Sequence, residues 1–242
     1  MPRRPEVGAM ILAAGRGERM RPLTDATPKP LLTAGGKRLL AWQIEALARA
    51  GFRRIVVNVA HFSEQFVAAF GDGSALGVKI LWSFEPEPLE AAGGIATALP
   101  LLLEGPALIV SGDIYTTFDY ASLRSRAEAM AQSRSAPRVH LVMVNNPRYH
   151  PNGDFTLLDG RIVIDGVTRR TFANIGLYDT TLFRDAPRAT KLKLLPYFER
   201  WIAARIVSGE YFSGRWANVG TPEDLAALDR ALTTDRASDR SA

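Results

Sequence analysis

The chain of 242 residues contains no cysteine. Disulfide bonds, iron–sulfur clusters, thiolate zinc sites and cysteine nucleophiles are therefore excluded, and the absence fits a reducing compartment. Long apolar runs are missing as well, because the first one ends at Gly15, far short of a membrane span or the core of a signal peptide. We therefore expect a cytoplasmic protein with no membrane partner.

Histidine is scarce, and two common kinds of catalytic site are not indicated. The three histidines, at positions 61, 140 and 150, lack the spacing of metal ligands. No Gly-x-Ser-x-Gly motif of a serine hydrolase is present. We expect all three histidines to be structural.

The charge balance is basic, with 30 Lys and Arg against 25 Asp and Glu and a formal net charge of +5. These cations are dispersed, and no nucleic-acid-binding motif accompanies them, so nucleic acid is not an expected partner. The hydrophobic fraction of 47% is ordinary for a globular protein. We expect residues 1–232 to form a single domain and the polar residues 233–242 to form a disordered tail.

Strand-like and helix-like patterns alternate over the first half of the chain. Buried strands are predicted at Met10–Ala14, Arg54–Ala60, Val78–Ser83 and Ala107–Ser111. Helices are predicted at Leu39–Ala50, Ser63–Phe70 and Gly94–Leu103, and over 119–132. This alternation indicates an α/β fold with a doubly wound, mostly parallel, Rossmann-like sheet, whose ligands lie beyond the carboxyl ends of the strands.

The pattern changes in the second half. Strands at Arg138–Asn145 and Thr171–Tyr178 accompany a hairpin, 154–164, with Asp159-Gly160 at its turn. Helices are predicted at Leu192–Arg205 and Leu225–Leu232. We expect antiparallel strands to have been added to the parallel core and to form the pocket for an acceptor substrate.

The stretch Met10–Pro30 joins a buried strand to a loop rich in glycine and in cations. Gly15 and Gly17 let backbone N–H groups approach anionic oxygens, and Arg19 and Lys29 are among the cations that can offset the charge of a triphosphate. The loop is neither a Walker A motif nor a dinucleotide fingerprint, which would need a third small residue where Met20 stands. It is therefore a phosphate-binding loop of another type.

One acidic residue follows a predicted strand at the same edge. Asp113 comes directly after Ser111-Gly112 at the end of the strand ALIV. Magnesium takes oxygen ligands and needs only one or two protein carboxylates when phosphates supply the others. Asp113 is therefore a candidate Mg²⁺ ligand, and the alternative is that it caps the next segment.

Several motifs together resemble the sugar-1-phosphate nucleotidyltransferases. These are Gly-x-Gly-x-Arg-x-x-Pro-Leu-Thr followed by Pro-Lys-Pro in the loop, SGD at 111–113, NP…GDF over 146–155 and WANVGTPEDL at 216–225. They span nearly the whole chain. Within this family the sequence is most similar to the N-acetylmuramate-1-phosphate uridylyltransferases, with the mannose-1-phosphate guanylyltransferases as near relatives.

The resemblance implies roles for particular residues. Arg19 and Lys29 would be the catalytic cations on the phosphates, and Asp113 would bind Mg²⁺. The residues implied to bind the nucleotide are Ala13, Ala14, Gly15, Gly17, Glu85, Glu90 and Gly94, and those implied to bind the sugar substrate are Ser111, Gly153, Asp154 and Asn174. Either Glu85 or Glu90 can accept a hydrogen bond from a nucleobase N–H; alternatively, residues 83–95 are a plain strand-to-helix connection.

Two positions depart from the family pattern. Asn218 stands where many relatives have an aspartate as the second metal ligand; its amide oxygen can still coordinate Mg²⁺ but carries no charge. Ala91 and Ala92 stand where a threonine is frequent in the base-binding loop, which leaves the base less defined than the reaction.

The implied reaction joins UTP to N-acetylmuramic acid 1-phosphate, giving UDP-N-acetylmuramic acid and pyrophosphate in peptidoglycan recycling, in a monomer or a small homo-oligomer. A mannose-1-phosphate guanylyltransferase remains an alternative. So does a sensor of nucleotide sugars without catalysis, which Asn218 makes conceivable.

Overall fold

The computed structural model of the chain describes residues 6–133 and 136–240. In the first half the elements are β1 (Gly8–Leu12), β2 (Thr33–Ala34), β3 (Lys37–Arg38), α1 (Leu39–Arg49), β4 (Arg54–Val59), α2 (Ser63–Phe70), β5 (Lys79–Phe84), α3 (Glu90–Ala98), β6 (Pro106–Ser111), β7 (Ile114–Thr116) and α4 (Tyr120–Gln132). In the second half they are β8 (Val139–Val144), β9 (Phe155–Leu158), β10 (Arg161–Val163), β11 (Arg169–Asp179), α5 (Leu195–Ala203), β12 (Val207–Tyr211), β13 (Trp216–Asn218) and α6 (Pro222–Arg240).

A nine-stranded sheet runs through the molecule in the order β5-β4-β1-β6-β11-β8-β12-β10-β9. The first four strands are parallel, and β11 is antiparallel to both of its neighbours. In the other half β9 pairs with β10 and also with β11. The predicted α/β fold is confirmed, with a parallel half and a mainly antiparallel half in one mixed sheet.

The strand register aligns the carboxyl ends of the parallel strands. Leu12 lies opposite Asn58 on one side and opposite Ser111 on the other, and Asn58 lies opposite Ser83. The loops that follow these strands therefore emerge at one edge of the sheet, as expected for a ligand site in a doubly wound fold.

Two hydrophobic layers cover the two faces of the sheet. Along β1 the side chains alternate, so that Ala9 and Ile11 pack in the layer containing α1, α2 and α4, whereas Met10 packs in the layer containing α3 and α5. All three residues are fully buried, and burying a side chain of the size of isoleucine or methionine contributes about 1.5–3 kcal/mol. Two-sided burial accounts for the continuous apolar character of this strand.

Helix α6 is longer than predicted, and this corrects the disordered tail. The predicted helix ended at Leu232, but α6 continues to Arg240; residues 241–242 lie outside the described residues. Leu232 packs in a third apolar cluster with residues that follow the phosphate loop, and Asp229 accepts a hydrogen bond from Gly35 N at 2.7 Å. An ion pair between Arg215 and Asp235 connects the C-terminal part of α6 to the rest of the fold. The polar local sequence does not indicate this contact.

Several short strands were missed in the sequence, among them β12, β7 and β13. Strand β12 contains Ser208 and Gly209, which weaken its strand pattern, although it pairs with β8 along its whole length. A Cβ at Gly209 would lie 2.5 Å from Ile162 Cδ1 and 3.0 Å from Leu141 O, so neighbouring atoms leave little space beside this strand position. Strands β7 and β13 form a separate two-stranded ribbon at the edge where the parallel strands end.

Within the described part of the chain, no helix has the length and apolarity needed to cross a membrane.

Candidate active site

A cleft of about 890 Å³ lies at the carboxyl edge of the parallel strands. The predicted site residues that line it are Ala13, Ala14, Gly15, Gly17, Arg19, Lys29, Glu85, Glu90, Ser111 and Asp113. These residues come from three segments that are distant in sequence, 13–29, 85–90 and 111–113. The structure thus brings together the cationic loop, the segment that contains Glu85 and Glu90, and the segment that contains Asp113.

The cationic loop is held in shape by its own backbone. Gly17 has φ +65°, a left-handed conformation that favours glycine, and its carbonyl accepts a hydrogen bond from Thr24 Oγ1 at 2.9 Å. A Cβ at Gly17 would lie 3.1 Å from Lys29 Cβ. The tight turn at Gly17 therefore allows the close approach of the Lys29 side chain.

Lys29 and Asp113 form an ion pair in the cleft. The Lys29 ammonium donates to Asp113 Oδ2, and the two side chains are only 12% and 23% exposed. In this pair the positively charged ammonium group lies at the Asp113 carboxylate, as a bound metal cation would. A cation held at this carboxylate lies beside the loop predicted to hold phosphates.

A chain of hydrogen bonds connects residues 83–95, the segment predicted to bind the base and called the base loop below, to the end of β1. Ala13 N donates to Asn58 Oδ1 at 2.9 Å, Asn58 Nδ2 donates to Glu85 Oε1 at 2.7 Å, and Leu89 N donates to Glu85 Oε2 at 3.0 Å. Burial raises the pKa of Glu85, and the hydrogen bonds from Asn58 and Leu89 oppose this shift. Both carboxylate oxygens of Glu85 already accept hydrogen bonds from the protein. Glu85 therefore holds this side of the cleft in its conformation and also lines the cleft.

Asn58 was missed by the sequence analysis, although it lines the cleft. Its only sequence signal is a polar residue inside the buried run RIVVNVA. Gly94, predicted to admit a base, packs behind this network: a Cβ there would lie 2.7 Å from Asn58 Nδ2 and 2.8 Å from Glu85 Oε1. Gly94 is not among the residues that line the cleft.

Helix α3 begins at Glu90, which corrects the predicted start at Gly94. Leu192 O accepts hydrogen bonds from Ala92 N at 3.0 Å and Gly93 N at 3.2 Å, two donors of the first helical turn that otherwise lack an intrahelical acceptor. The partner lies about a hundred positions later in the chain, so local sequence could not reveal it. Glu90 itself has φ +62°, a strained value for a residue with a side chain.

The segment 189–192 lies against this base loop. Leu192 N donates to Leu89 O at 3.0 Å, and Lys191 Nζ lies 2.6 Å from Glu87 Oε2. Lys191 and Glu87 both line the cleft and were not predicted as site residues. The local sequence does not indicate a site role for either residue, because the ion pair joins segments from opposite halves of the chain.

We expect Gly93→Ala to destabilise the protein. A Cβ at Gly93 would lie 2.1 Å from Thr190 O, a backbone atom that cannot move without displacing segment 189–192. Overpacking of this kind costs about 1–3 kcal/mol, which denaturant unfolding would measure. Gly15→Ala is the control, since a Cβ at Gly15 meets nothing within 4 Å; equal stability of the two variants would contradict the packing argument.

Of the predicted sugar-binding residues, Ser111 ends β6 and lines the cleft, whereas Gly153, Asp154 and Asn174 lie in the antiparallel half, outside the group that lines it. Asp154 Oδ1 lies 3.1 Å from His150 Nε2, and Asp154 Oδ2 accepts from Phe172 N at 2.8 Å, so its carboxylate holds the loop between β8 and β9. Gly153 has φ +59° and packs against Asn146 and the Arg170 backbone. These contacts fix the loop's conformation.

Asn174 marks an irregularity in β11. It has φ +56°, and the pairing of β11 with β8 shifts register between Phe172 and Gly176. It directly precedes Ile175, which pairs with Val110 of β6. The bulge therefore lies at the edge where β6 ends, beside Ser111.

The ribbon of β7 and β13 brings the two predicted metal ligands to neighbouring backbone positions. Asn218 pairs with Ile114, and Val219 N donates to Asp113 O at 2.9 Å. Among the described residues no cluster of three or more His, Cys, Asp or Glu suits a metal. One carboxylate with one amide oxygen, completed by phosphate oxygens and water, nevertheless fits the coordination that Mg²⁺ prefers.

Comparison with known proteins gives concordant matches. Residues 8–152 match the nucleotidyl transferase family. The chain is 46% identical over 217 residues to the N-acetylmuramate alpha-1-phosphate uridylyltransferase of Neisseria meningitidis serogroup B, covering 88% of this chain and 93% of that protein. It is 28% identical to the mannose-1-phosphate guanylyltransferase of Mycobacterium tuberculosis, covering 91% of this chain and 63% of that protein.

The solved structures agree in fold. The crystal structure of HddC from Yersinia pseudotuberculosis, complexed with GMP-PN, has a TM-score of 0.74, with 93% of this chain and 99% of that chain covered. The inositol-1-phosphate CTP transferase of T. maritima has a TM-score of 0.73, with 96% of each chain covered. Sequence identities of 19% and 18% limit this likeness to the fold.

Proposed function

The chain belongs to the nucleotidyl transferase family and is a sugar-1-phosphate nucleotidyltransferase, and we propose that it condenses UTP with N-acetylmuramic acid 1-phosphate to give UDP-N-acetylmuramic acid and pyrophosphate. The identity of 46% to a uridylyltransferase over most of both chains supports this substrate pair. The observation that carries the chemistry is the cleft in which the cationic loop faces the Lys29–Asp113 pair.

The reaction requires neutralisation and alignment more than proton transfer. The phosphate oxygen of the sugar 1-phosphate attacks the α-phosphorus of UTP as the bond to pyrophosphate breaks, and it is already an anion, so no general base is needed. Arg19 and Lys29 would hold the triphosphate, and backbone N–H groups of residues 14–17 would contact it. Fixed positive groups at positions where charge develops provide the electrostatic stabilisation expected of phosphoryl transfer.

Mg²⁺ is the divalent cation that we propose for this site, with Asp113 and Asn218 as its protein ligands. When bound, Mg²⁺ would offset charge on the triphosphate and polarise the reacting phosphorus. The Lys29 ammonium, which pairs with Asp113 in this structure, would bind a phosphate oxygen of the triphosphate. The donor set of one carboxylate and one amide supports this assignment.

An activity matrix tests the substrate pair. Pyrophosphate release is measured for each common NTP against N-acetylmuramic acid 1-phosphate, mannose 1-phosphate and glucose 1-phosphate. We expect UTP with N-acetylmuramic acid 1-phosphate to give the highest kcat/KM. Preference for GTP and mannose 1-phosphate would favour the guanylyltransferase, and binding without turnover of any pair would favour a sensor.

Asn218→Asp is expected to lower the Mg²⁺ concentration needed for half-maximal rate. A carboxylate attracts Mg²⁺ more strongly than a neutral amide oxygen, and the position pairs with β7 beside Asp113. The measurement is a titration of rate against Mg²⁺ for both proteins. Identical half-saturation would show that residue 218 does not contact the metal, whereas activity only in the variant would favour the sensor.

The cytoplasmic location, the absence of nucleic-acid and membrane partners, and the monomeric or small homo-oligomeric state stay predictions from composition.

A further inference from the structure

An ion pair that the proposed reaction does not use lies at the base loop. Lys191 Nζ lies 2.6 Å from Glu87 Oε2, and both residues line the cleft. Their side chains are 56% and 52% exposed, and an ion pair this exposed contributes little to stability because water and salt screen it. The pair is therefore better explained by the groups that it presents to the cleft than by its contribution to the fold.

The backbone that carries Lys191 is held on both sides. Leu192 N donates to Leu89 O at 3.0 Å, and Leu192 O accepts from the first turn of α3. Ala189 N donates to Thr97 Oγ1, farther along the same helix, at 3.0 Å. Lys191 therefore reaches the base loop from a fixed position.

Glu87 is also held in place, and its carboxylate faces fewer competing demands than that of Glu85. Glu87 lies between Pro86 and Pro88, whose rings restrict the backbone of the loop, and Lys191 pairs with its carboxylate. Glu85, by contrast, already accepts hydrogen bonds with both of its oxygens. Glu87 is therefore the better prepared of the two to accept from a nucleobase.

A fixed ammonium group beside a fixed carboxylate places a hydrogen-bond donor next to an acceptor. Uracil carries a complementary edge, with an acceptor at O4 beside the N3–H donor, and guanine carries one at O6 and N1–H. Cytosine and adenine carry the reverse order, with an amino donor beside a ring-nitrogen acceptor. A donor and an acceptor held in one order can therefore distinguish keto bases from amino bases.

Resting on the function proposed above, which supplies a keto base, we infer that the Lys191–Glu87 pair determines base specificity: Lys191 donates to uracil O4, and Glu87 accepts from uracil N3–H. Cytosine in the same place would set its amino group against the ammonium and its N3 against the carboxylate. Two donors would then face each other, as would two acceptors, and mismatches of this kind are what make a site reject the wrong partner.

Nucleotide binding without a sugar phosphate tests the inference. Calorimetry gives the Kd of UTP, CTP, GTP and ATP in saturating Mg²⁺, and the Kd of CTP divided by that of UTP measures selectivity for the keto base. Glu87→Gln and Lys191→Met nearly keep the side-chain lengths and remove the charges. Each should reduce this ratio about ten- to hundredfold, the scale of one hydrogen bond to a charged group.

Exchanging the two residues separates recognition from packing. The double variant Glu87→Lys with Lys191→Glu keeps an ion pair and reverses donor and acceptor, so it should bind CTP more tightly than UTP. Glu104→Gln is the control and should keep the wild-type ratio, because Glu104 forms an exposed ion pair with Arg184 outside the cleft. An unchanged ratio in the single variants, equal weakening for all four nucleotides, or a double variant that still prefers UTP would overturn the inference.

The same titrations distinguish the inference from the proposed function. A wild type that prefers GTP to UTP would contradict the proposed substrate but not the inference, since guanine carries the same edge; the constants for GTP and ATP then replace those for UTP and CTP. A wild type that binds CTP more tightly than UTP and ATP more tightly than GTP would overturn the inference, whichever sugar phosphate the enzyme uses.

Discussion

Asp113→Asn is expected to lower kcat/KM about 10³-fold or more, the upper range for loss of one preorganised electrostatic group. Asp113 would supply the charge that holds the cation at the triphosphate, and it is also the partner of Lys29. Asparagine keeps the size of the side chain and removes its charge. Steady-state rates across a Mg²⁺ titration measure the effect, and circular dichroism verifies the fold.

The same substitution separates the two interpretations of Asp113. Asparagine caps a helix or turn about as well as aspartate does, so a purely structural Asp113 would tolerate the change. Asp119 is the control: it caps α4 by accepting from Ala121 N at 3.0 Å, and Asp119→Asn should keep nearly full activity. Near-normal turnover of Asp113→Asn at ordinary Mg²⁺ would remove Asp113 from the metal site.

Lys29→Ala is expected to lower turnover about 10²-fold or more. Lys29 lies between Pro28 and Pro30, whose rings restrict the backbone, and its side chain is 12% exposed, so the ammonium group is already positioned before substrate binds. The measurement is kcat at saturating UTP and Mg²⁺. Unchanged kcat would contradict the assignment.

Lys37→Ala provides the comparison for Lys29, since Lys37 is a lysine of the neighbouring segment that pairs with Glu45 outside the cleft. It should leave kcat within about twofold, as for other surface positions. Combining Lys29→Ala with Asp113→Asn should lose less than the product of the single losses, because paired groups are coupled.

The features predicted well from sequence are those determined by neighbouring residues. The glycines and cations of the first loop, the buried strand before Asp113 and the alternation of helices and strands are all local patterns. The parallel register then brings their ends together, because Leu12 aligns with Asn58 and Ser111. These elements need no knowledge of distant partners.

The features that were missed depend on partners far along the chain. The start of α3 is determined by Leu192, and the wall of the cleft by the bond between Asn58 and Glu85. In each case the local residues are compatible with several conformations, and tertiary contacts select one.

The double pairing of β9 has a consequence for association. Because β9 bonds to both β10 and β11, the strands β11, β8, β12, β10 and β9 close into a ring. Among the described strands of this sheet, β5 alone has a neighbouring strand on one side only, with Phe84 59% exposed at its end. Part of its other side is covered, because Ile80 N donates to Asp72 O at 2.7 Å. A second chain that extends the sheet by strand addition would find its edge at β5, beyond the part that Asp72 covers.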